Sequence, residues 1–108
     1  MARELKRGEI WLYAFKAPDK RRPVLIISRQ AALRFLRTAL IAPVTSTIHG
    51  SPAEVLVGVA EGLKHPSAVN LDHVQTVEQS LLHQFIGTVD ADTMRRVCRA
   101  LAVATGCA

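Results

Sequence analysis

The amino-acid sequence predicts a mainly β fold, a small barrel-like antiparallel sheet with a helix at its C-terminus. Short β-branched-rich runs recur along the chain, each bounded by Pro, Gly, Asp or Ser turn signals. Only the last stretch, after Asp90, sustains a helical period of apolar residues. The chain has 108 residues, 49% hydrophobic and 21% charged. That is enough for one core of ordinary size, so residues 1–108 read as a single globular domain.

Residues 1–8 are polar and basic and are expected to fray up to Gly8. Glu9 to Phe15 then reads as a first strand, with Trp11, Tyr13 and Phe15 on one face and Ile10, Leu12 and Ala14 on the other. Lys16 to Arg22 forms a short loop around the Pro18-Asp19 turn signal. Val24 to Ser28 is a second strand that pairs with the first as a hairpin. Arg29 to Arg37 holds one or two helical turns or an irregular loop. Thr38 to Thr45 is a third strand, and Pro43, which lacks a backbone donor, marks where it leaves the sheet or bulges. Ala53 to Val59 is a fourth strand. Ser67 to Val77 is long enough for one bent strand or two short ones. Gln79 to Gln84 allows a helical turn, and Phe85 to Val89 a last strand. In the closing helix Asp90 is the N-cap, Asp92 complements the dipole, and Gly106 is the C′ residue. Met94, Val97, Cys98, Leu101, Ala102 and Thr105 form its apolar stripe, leaving Arg95, Arg96 and Arg99 in water.

The net charge is +5, and its distribution is uneven. Residues 1–40 carry ten Lys and Arg against three acids, a local net of +7, whereas the remainder has a net of −2. A basic half concentrates polyanions near itself, which points to nucleic acid or an acidic protein segment. No apolar stretch approaches the ~18 residues that would span a bilayer. The N-terminus lacks the apolar centre of a secretory signal, so the protein is expected in the cytoplasm. Cys98 and Cys107 read as free thiols, Cys98 a small core residue and Cys107 an exposed one.

The chemistry is narrowed by elimination. His49, His65, His73 and His83 are widely spaced, without metal-ligand spacing, so no metal site and no cofactor is expected. Two histidines could serve as an acid and base pair, but their spacing singles out none. There is no G-x-S-x-G motif and no phosphate-cradling glycine loop. What remains is Lys20-Arg21-Arg22, delivered into Pro23-Val24-Leu25-Ile26-Ile27-Ser28. Three adjacent cations resist burial, so they belong at the lip of the core. Pro23 fixes its own backbone and biases Arg22 toward an extended conformation. Were the second and third strands neighbours, Arg22 and Thr45 would share one shallow site, offering a fork of donors and a hydroxyl to a phosphodiester. The plainer readings are a solvated basic loop, and a Thr45 that makes only a local turn bond.

Arg7-Gly8-Glu9-Ile10-Trp11, Arg22-Pro23-Val24-Leu25-Ile26-Ile27-Ser28, Ala42-Pro43-Val44-Thr45-Ser46, the run from Ser67 to Val77, and Ile86-Gly87-Thr88-Val89 before an amphipathic helix together resemble the MazF/PemK toxins. The resemblance covers nearly the whole chain. It implies the SH3-like small β-barrel of the CcdB/PemK/MazF type, a homodimer, and a sequence-specific, metal-independent endoribonuclease of the mRNA interferase type. Such an enzyme cuts single-stranded RNA by attack of the 2′-hydroxyl on the adjacent phosphodiester. A cognate MazE-like antitoxin with an acidic tail is also implied. On this resemblance Arg22 and Thr45 are the catalytic residues; Lys20 and Arg21 are expected, on their charge, to contact RNA phosphates and not to read bases, and Ser46 is expected to bind RNA beside them. The loop before Arg22 is shorter than the family commonly has, so base preference does not transfer. Two rival functions share the barrel: a CcdB-like gyrase-binding toxin and a non-catalytic RNA-binding protein.

Overall fold

The computed structural model describes residues 4–15 and 21–108. Seven strands form an antiparallel sheet: β1 (Glu9–Ala14), β2 (Arg21–Ile26), β3 (Thr38–Thr45), β4 (Glu54–Val57), β5 (Ser67–Asn70), β6 (Gln75–Glu78) and β7 (Leu82–Thr88). A short helix α1 (Gln30–Phe35) joins β2 to β3, and α2 (Ala91–Ala104) closes the chain. The strand order is β4-β5-β3-β2-β1-β7, with β6 paired to β3. The predicted hairpin of the first two strands is present, with Tyr13 opposite Arg22 and Trp11 opposite Val24.

β3 organises the sheet, and Pro43 explains how. Along one edge it pairs with β2 (Val24 opposite Pro43). Along the other it pairs first with β6, through Thr38–Ile41, and then with β5, through Val44 and Thr45. Pro43 falls in the gap between those two partners, where no donor is required. The strand therefore passes from one part of the sheet to the other at the residue that cannot donate.

The two ends of the strand order, β4 and β7, do not pair with each other among the described residues. They are bridged instead by the 3₁₀ turn Val59–Glu61, whose backbone lies directly on β7. A Cβ added to Gly87 would sit 2.1 Å from the Glu61 carbonyl oxygen, and one added to Gly62 would sit 2.6 Å from that of Ile86. Gly62 also has a φ of +93°. Only glycines allow the barrel-like curl to come this close.

The sheet is buried on both faces. Ile10, Leu25, Ala42, Val44, Val55 and Val69 pack under α2, through Val97 and Ala100. Trp11, Val24, Ile26, Ala39, Ile41 and Val77 pack under Leu5 and Leu33. The first-strand aromatics lie where the alternation predicts: Trp11 meets Phe85 edge-on at 5.9 Å, and Tyr13 meets Phe15 at 4.7 Å.

Several expectations are corrected. Residues 5–8 do not fray: Leu5 is buried, Gly8 N–H donates to the Ile26 carbonyl, and the Arg7 guanidinium donates to the Ile27 carbonyl and to Cys98 Sγ. Glu9 is buried, and its Oε1 accepts from Lys6 N–H and Trp11 Nε1–H. Arg21 and Arg22 belong to β2 itself, because the pairing with β1 extends back to Arg21. The Ser67–Val77 run, by contrast, takes one of its two expected forms, two short strands hinged at Leu71–His73, where Asn70 Oδ1 accepts from Asp72 N–H. β7 begins at Leu82, three residues before the expected start, because its pairing with β1 reaches Tyr13. The fourth strand is confined to Glu54–Val57, and Val59 lies in the bridging turn. In α2 the buried line is Thr93, Val97 and Ala100, and Cys98 is exposed. The helix is turned by about one residue, which brings small alanines against the sheet and frees Cys98 to meet Arg7. Asp90 caps it as expected, accepting from Thr93 N–H at 2.8 Å, and Gly106 has a φ of +74°.

Candidate functional site

An open groove of about 930 Å³ lies where the ends of β2 and β3 meet the loop before β5. The β2–β3 register accounts for its composition. Val24 is opposite Pro43, so continuing the register brings Arg22 opposite Thr45. Both line the groove, together with Arg21 and Ser46. The floor is apolar, formed by Leu12, Val44 and Leu63. Four of the five site residues expected from sequence are thus brought together. Lys20 lies outside the described residues.

The electrostatics favour an anion. Arg21 and Arg22 are exposed, and among the described residues no carboxylate pairs with them. Arg34, Arg95 and Arg96, by contrast, are matched to Glu4 or Asp92. Lys64 adds a third cation to the groove wall. Unpaired guanidiniums beside a hydroxyl and an apolar floor form a cradle for a phosphate or carboxylate ligand.

Thr45 does make the local turn bond: its Oγ1 accepts from Thr47 N–H at 3.1 Å. That bond uses an oxygen lone pair and leaves the hydroxyl hydrogen for a ligand. The loop that follows is fixed from below by Glu54. Its Oε1 accepts from Gly50 N–H at 2.8 Å, Ser51 N–H at 3.1 Å and His49 N–H at 3.1 Å. Desolvation pushes the Glu54 carboxyl up, but the donations from Ser51, His49 and Gly50 together outweigh it and hold the group below the usual carboxylate range.

Among the described residues no three His, Cys, Asp or Glu side chains gather as a metal ion would need. His49, His73 and His83 lie outside the groove lining.

Residues 6–105 match the family model described as "PemK-like, MazF-like toxin of type II toxin-antitoxin system". The chain belongs to the PemK/MazF toxin family. A Mycobacterium tuberculosis protein named "Probable endoribonuclease MazF5" is 42% identical over 102 residues, covering 94% of this chain and 93% of that one. The solved structure of Mycobacterium tuberculosis toxin MazF-mt6 superposes with a TM-score of 0.84 at 32% identity, over 91% of this chain and 96% of that one. A mycobacterial endoribonuclease solved in complex with its cognate antitoxin superposes with a TM-score of 0.86 at 27% identity, over 94% and 95%. The sheet with its C-terminal helix is therefore the PemK/MazF fold.

Within that fold the groove holds residues that the sequence reading did not select: Thr47, Lys64, His65 and Gln84. A signal for two of them was present. Lys64-His65-Pro66 opens β5 as Arg21-Arg22-Pro23 opens β2, with polar heads held at a strand entrance by a proline. Both strands flank β3, so both entrances arrive beside Thr45.

Proposed function

We propose that this member of the PemK/MazF family is an endoribonuclease toxin that cleaves single-stranded RNA in this groove, with Arg22 and Thr45 acting on the scissile phosphodiester. The observation that carries the reading is the convergence of these two residues, distant in sequence, at the adjoining ends of β2 and β3.

The chemistry follows from what the two side chains can donate. The 2′-hydroxyl attacks the adjacent phosphorus, its proton is removed, a phosphorane with extra negative charge forms, and the bond to the 5′-oxygen breaks as that oxygen takes a proton. The products are a 2′,3′-cyclic phosphate and a 5′-hydroxyl. The Arg22 guanidinium, permanently charged, supplies two parallel donors to the non-bridging oxygens where charge develops. The Thr45 hydroxyl, its oxygen already anchored by Thr47 N–H, donates to a non-bridging oxygen and holds the phosphate for in-line attack. A proton-transfer part for Arg22 is implied by the family resemblance alone; an arginine is a poor base at neutral pH. Arg21 and Ser46 contact neighbouring phosphates or sugars, and Lys20 joins them on charge.

The same cationic groove accepts the acidic segment of a MazE-like antitoxin, which neutralises the toxin by occupying the RNA path. The active form is a homodimer in the cytoplasm. Among the described residues no helix is long and apolar enough to cross a membrane.

Incubating the purified protein with end-labelled single-stranded RNA in EDTA tests the reading. Cuts at a short recurring sequence that end in a cyclic phosphate are expected. RNA that is bound but left whole would make the protein a binding barrel, and intact RNA with inhibited gyrase would make it a gyrase poison.

A further inference from the structure

Resting on the reading above, we propose that His65 is a further catalytic residue of this groove, the general acid that protonates the departing 5′-oxygen. Among the described residues it is the one groove-lining side chain whose ordinary pKa lies near neutrality. The groove's other proton donors are the cations Arg21, Arg22 and Lys64 and the Ser and Thr hydroxyls, all residue types that give up a proton far less readily than an imidazolium at neutral pH.

The strand order gives His65 its position. β3 runs between β2 and β5, and Thr45 is paired with Ala68 on the β5 side while the β2 register carries Arg22 to its other side. A phosphate held at Thr45 therefore has the guanidinium on one flank and the start of β5, with His65, on the other. In-line displacement puts the departing oxygen at an apex of the phosphorane, away from the equatorial non-bridging oxygens that Arg22 engages, so its proton needs a separate donor. With Arg22 engaged on the non-bridging oxygens, His65 is the groove-lining side chain whose residue type is best suited to give a proton to an apical one. The 5′-alkoxide requires a proton more than any other atom in the reaction.

The loop that carries His65 is built, not slack. Ser67 Oγ–H donates to the His65 carbonyl at 3.0 Å. Leu63 N–H donates to the Gly58 carbonyl at 3.2 Å, and Gly58 N–H to Glu61 Oε1 at 2.6 Å. The Gly62 and Gly87 contacts clamp its root to β7. The polar and charged groups that line the groove with His65 are Arg21 and Arg22 from β2, Lys64 from its own loop, neutral Gln84 from β7, and the hydroxyls of Thr45, Ser46, Thr47 and Ser67. Glu61, in the preceding turn, is occupied by Gly58 N–H.

In the step proposed, imidazolium Nε2–H or Nδ1–H gives its proton to O5′ as the P–O5′ bond breaks. The imidazole is left neutral and recovers a proton from water. The test measures single-turnover cleavage of a short single-stranded RNA from about pH 5 to about pH 9, spanning an ordinary imidazole titration. A matched RNA carrying sulfur in place of the bridging 5′-oxygen runs alongside, since a thiolate departs without a proton. His65→Gln should lose on the order of 10²-fold on the ordinary RNA, lose the alkaline limb of the profile, and recover most of its rate on the sulfur substrate. Its RNA affinity should stay at the wild-type value. Wild-type speed in His65→Gln, or an equal deficit on both substrates with the alkaline limb intact, overturns the assignment. Arg22→Ala separates the two readings. Should it cut at the wild-type rate, the parent reading fails, whereas a slow Arg22→Ala beside an unimpaired His65→Gln removes only the role of His65.

Discussion

Arg7 and Arg22 are the same residue type in the same basic half of the chain, and the fold uses them in opposite ways. Arg7 is consumed by structure: its guanidinium donates to the Ile27 carbonyl and to Cys98 Sγ, tying the N-terminal turn to α2. Elsewhere in the frame Glu9 accepts from Lys6 N–H and Trp11 Nε1–H, and Gln79 Nε2 donates to the Leu33, Leu36 and Thr38 carbonyls where α1 passes into β3. Arg22 stands among groups whose donors face open groove, without a carboxylate partner among the described residues. A guanidinium with its donors satisfied stabilises a fold, whereas one left open is available to a ligand. Substitutions on the two sides should therefore separate stability from activity.

The largest effect is expected at Arg22. Arg22→Ala should lower single-turnover cleavage by about 10²–10³, the usual consequence of removing one charge-stabilising donor, while the unfolding midpoint stays within about 0.5 kcal/mol of wild type. A matching loss of stability would erase the distinction. Gly87→Ala probes the seam where both sides meet. Its new methyl would press on the Glu61 carbonyl, so denaturant unfolding should register about 1–3 kcal/mol of destabilisation. Cleavage should fall as well, since the same turn supports Lys64 and His65.

Arg7→Ala should do the reverse of Arg22→Ala. It should cost about 1–2 kcal/mol in denaturant unfolding, from two lost donor contacts, and leave kcat/KM for RNA unchanged. The smallest effect belongs to the helix cap. Asp90→Ala should lower the urea midpoint slightly at neutral pH, through the loss of a helix N-cap. Thr93 N–H, then the Thr93 side chain, hold the Asp90 carboxyl below its usual range. Its contribution is accordingly present above about pH 4 and lost as pH falls from there through the lowered native value. Urea midpoints measured at neutral and acid pH should show the gap between wild type and Asp90→Ala closing on the acid side.

Much of this was legible in the sequence because local patterns and tertiary needs agreed. Thr38–Thr45 has the bounds read from its β-branched run, and Pro43 stands where β3 changes partners. Asp90 and Gly106 bound α2 for reasons of backbone chemistry alone. Errors arose where a distant partner decided. Leu5 and Gly8 read as a fraying end because their anchors, Leu33 and Ile26, lie far along the chain. Cys98 fits an apolar stripe, but the rotation of α2 is set by the sheet beneath it. At the site, Arg22, Thr45, Arg21 and Ser46 followed from proline placement, strand ends and family resemblance. His65 did not, because only the β3–β5 pairing brings its loop beside Thr45.

The most direct measurement is a crystal structure of the protein with a single-stranded RNA blocked by a 2′-O-methyl group at its cleavage position. The scissile phosphate should lie within hydrogen-bond reach of both the Arg22 guanidinium and the Thr45 hydroxyl. A phosphate seated elsewhere, with those two side chains still facing solvent, would contradict the account.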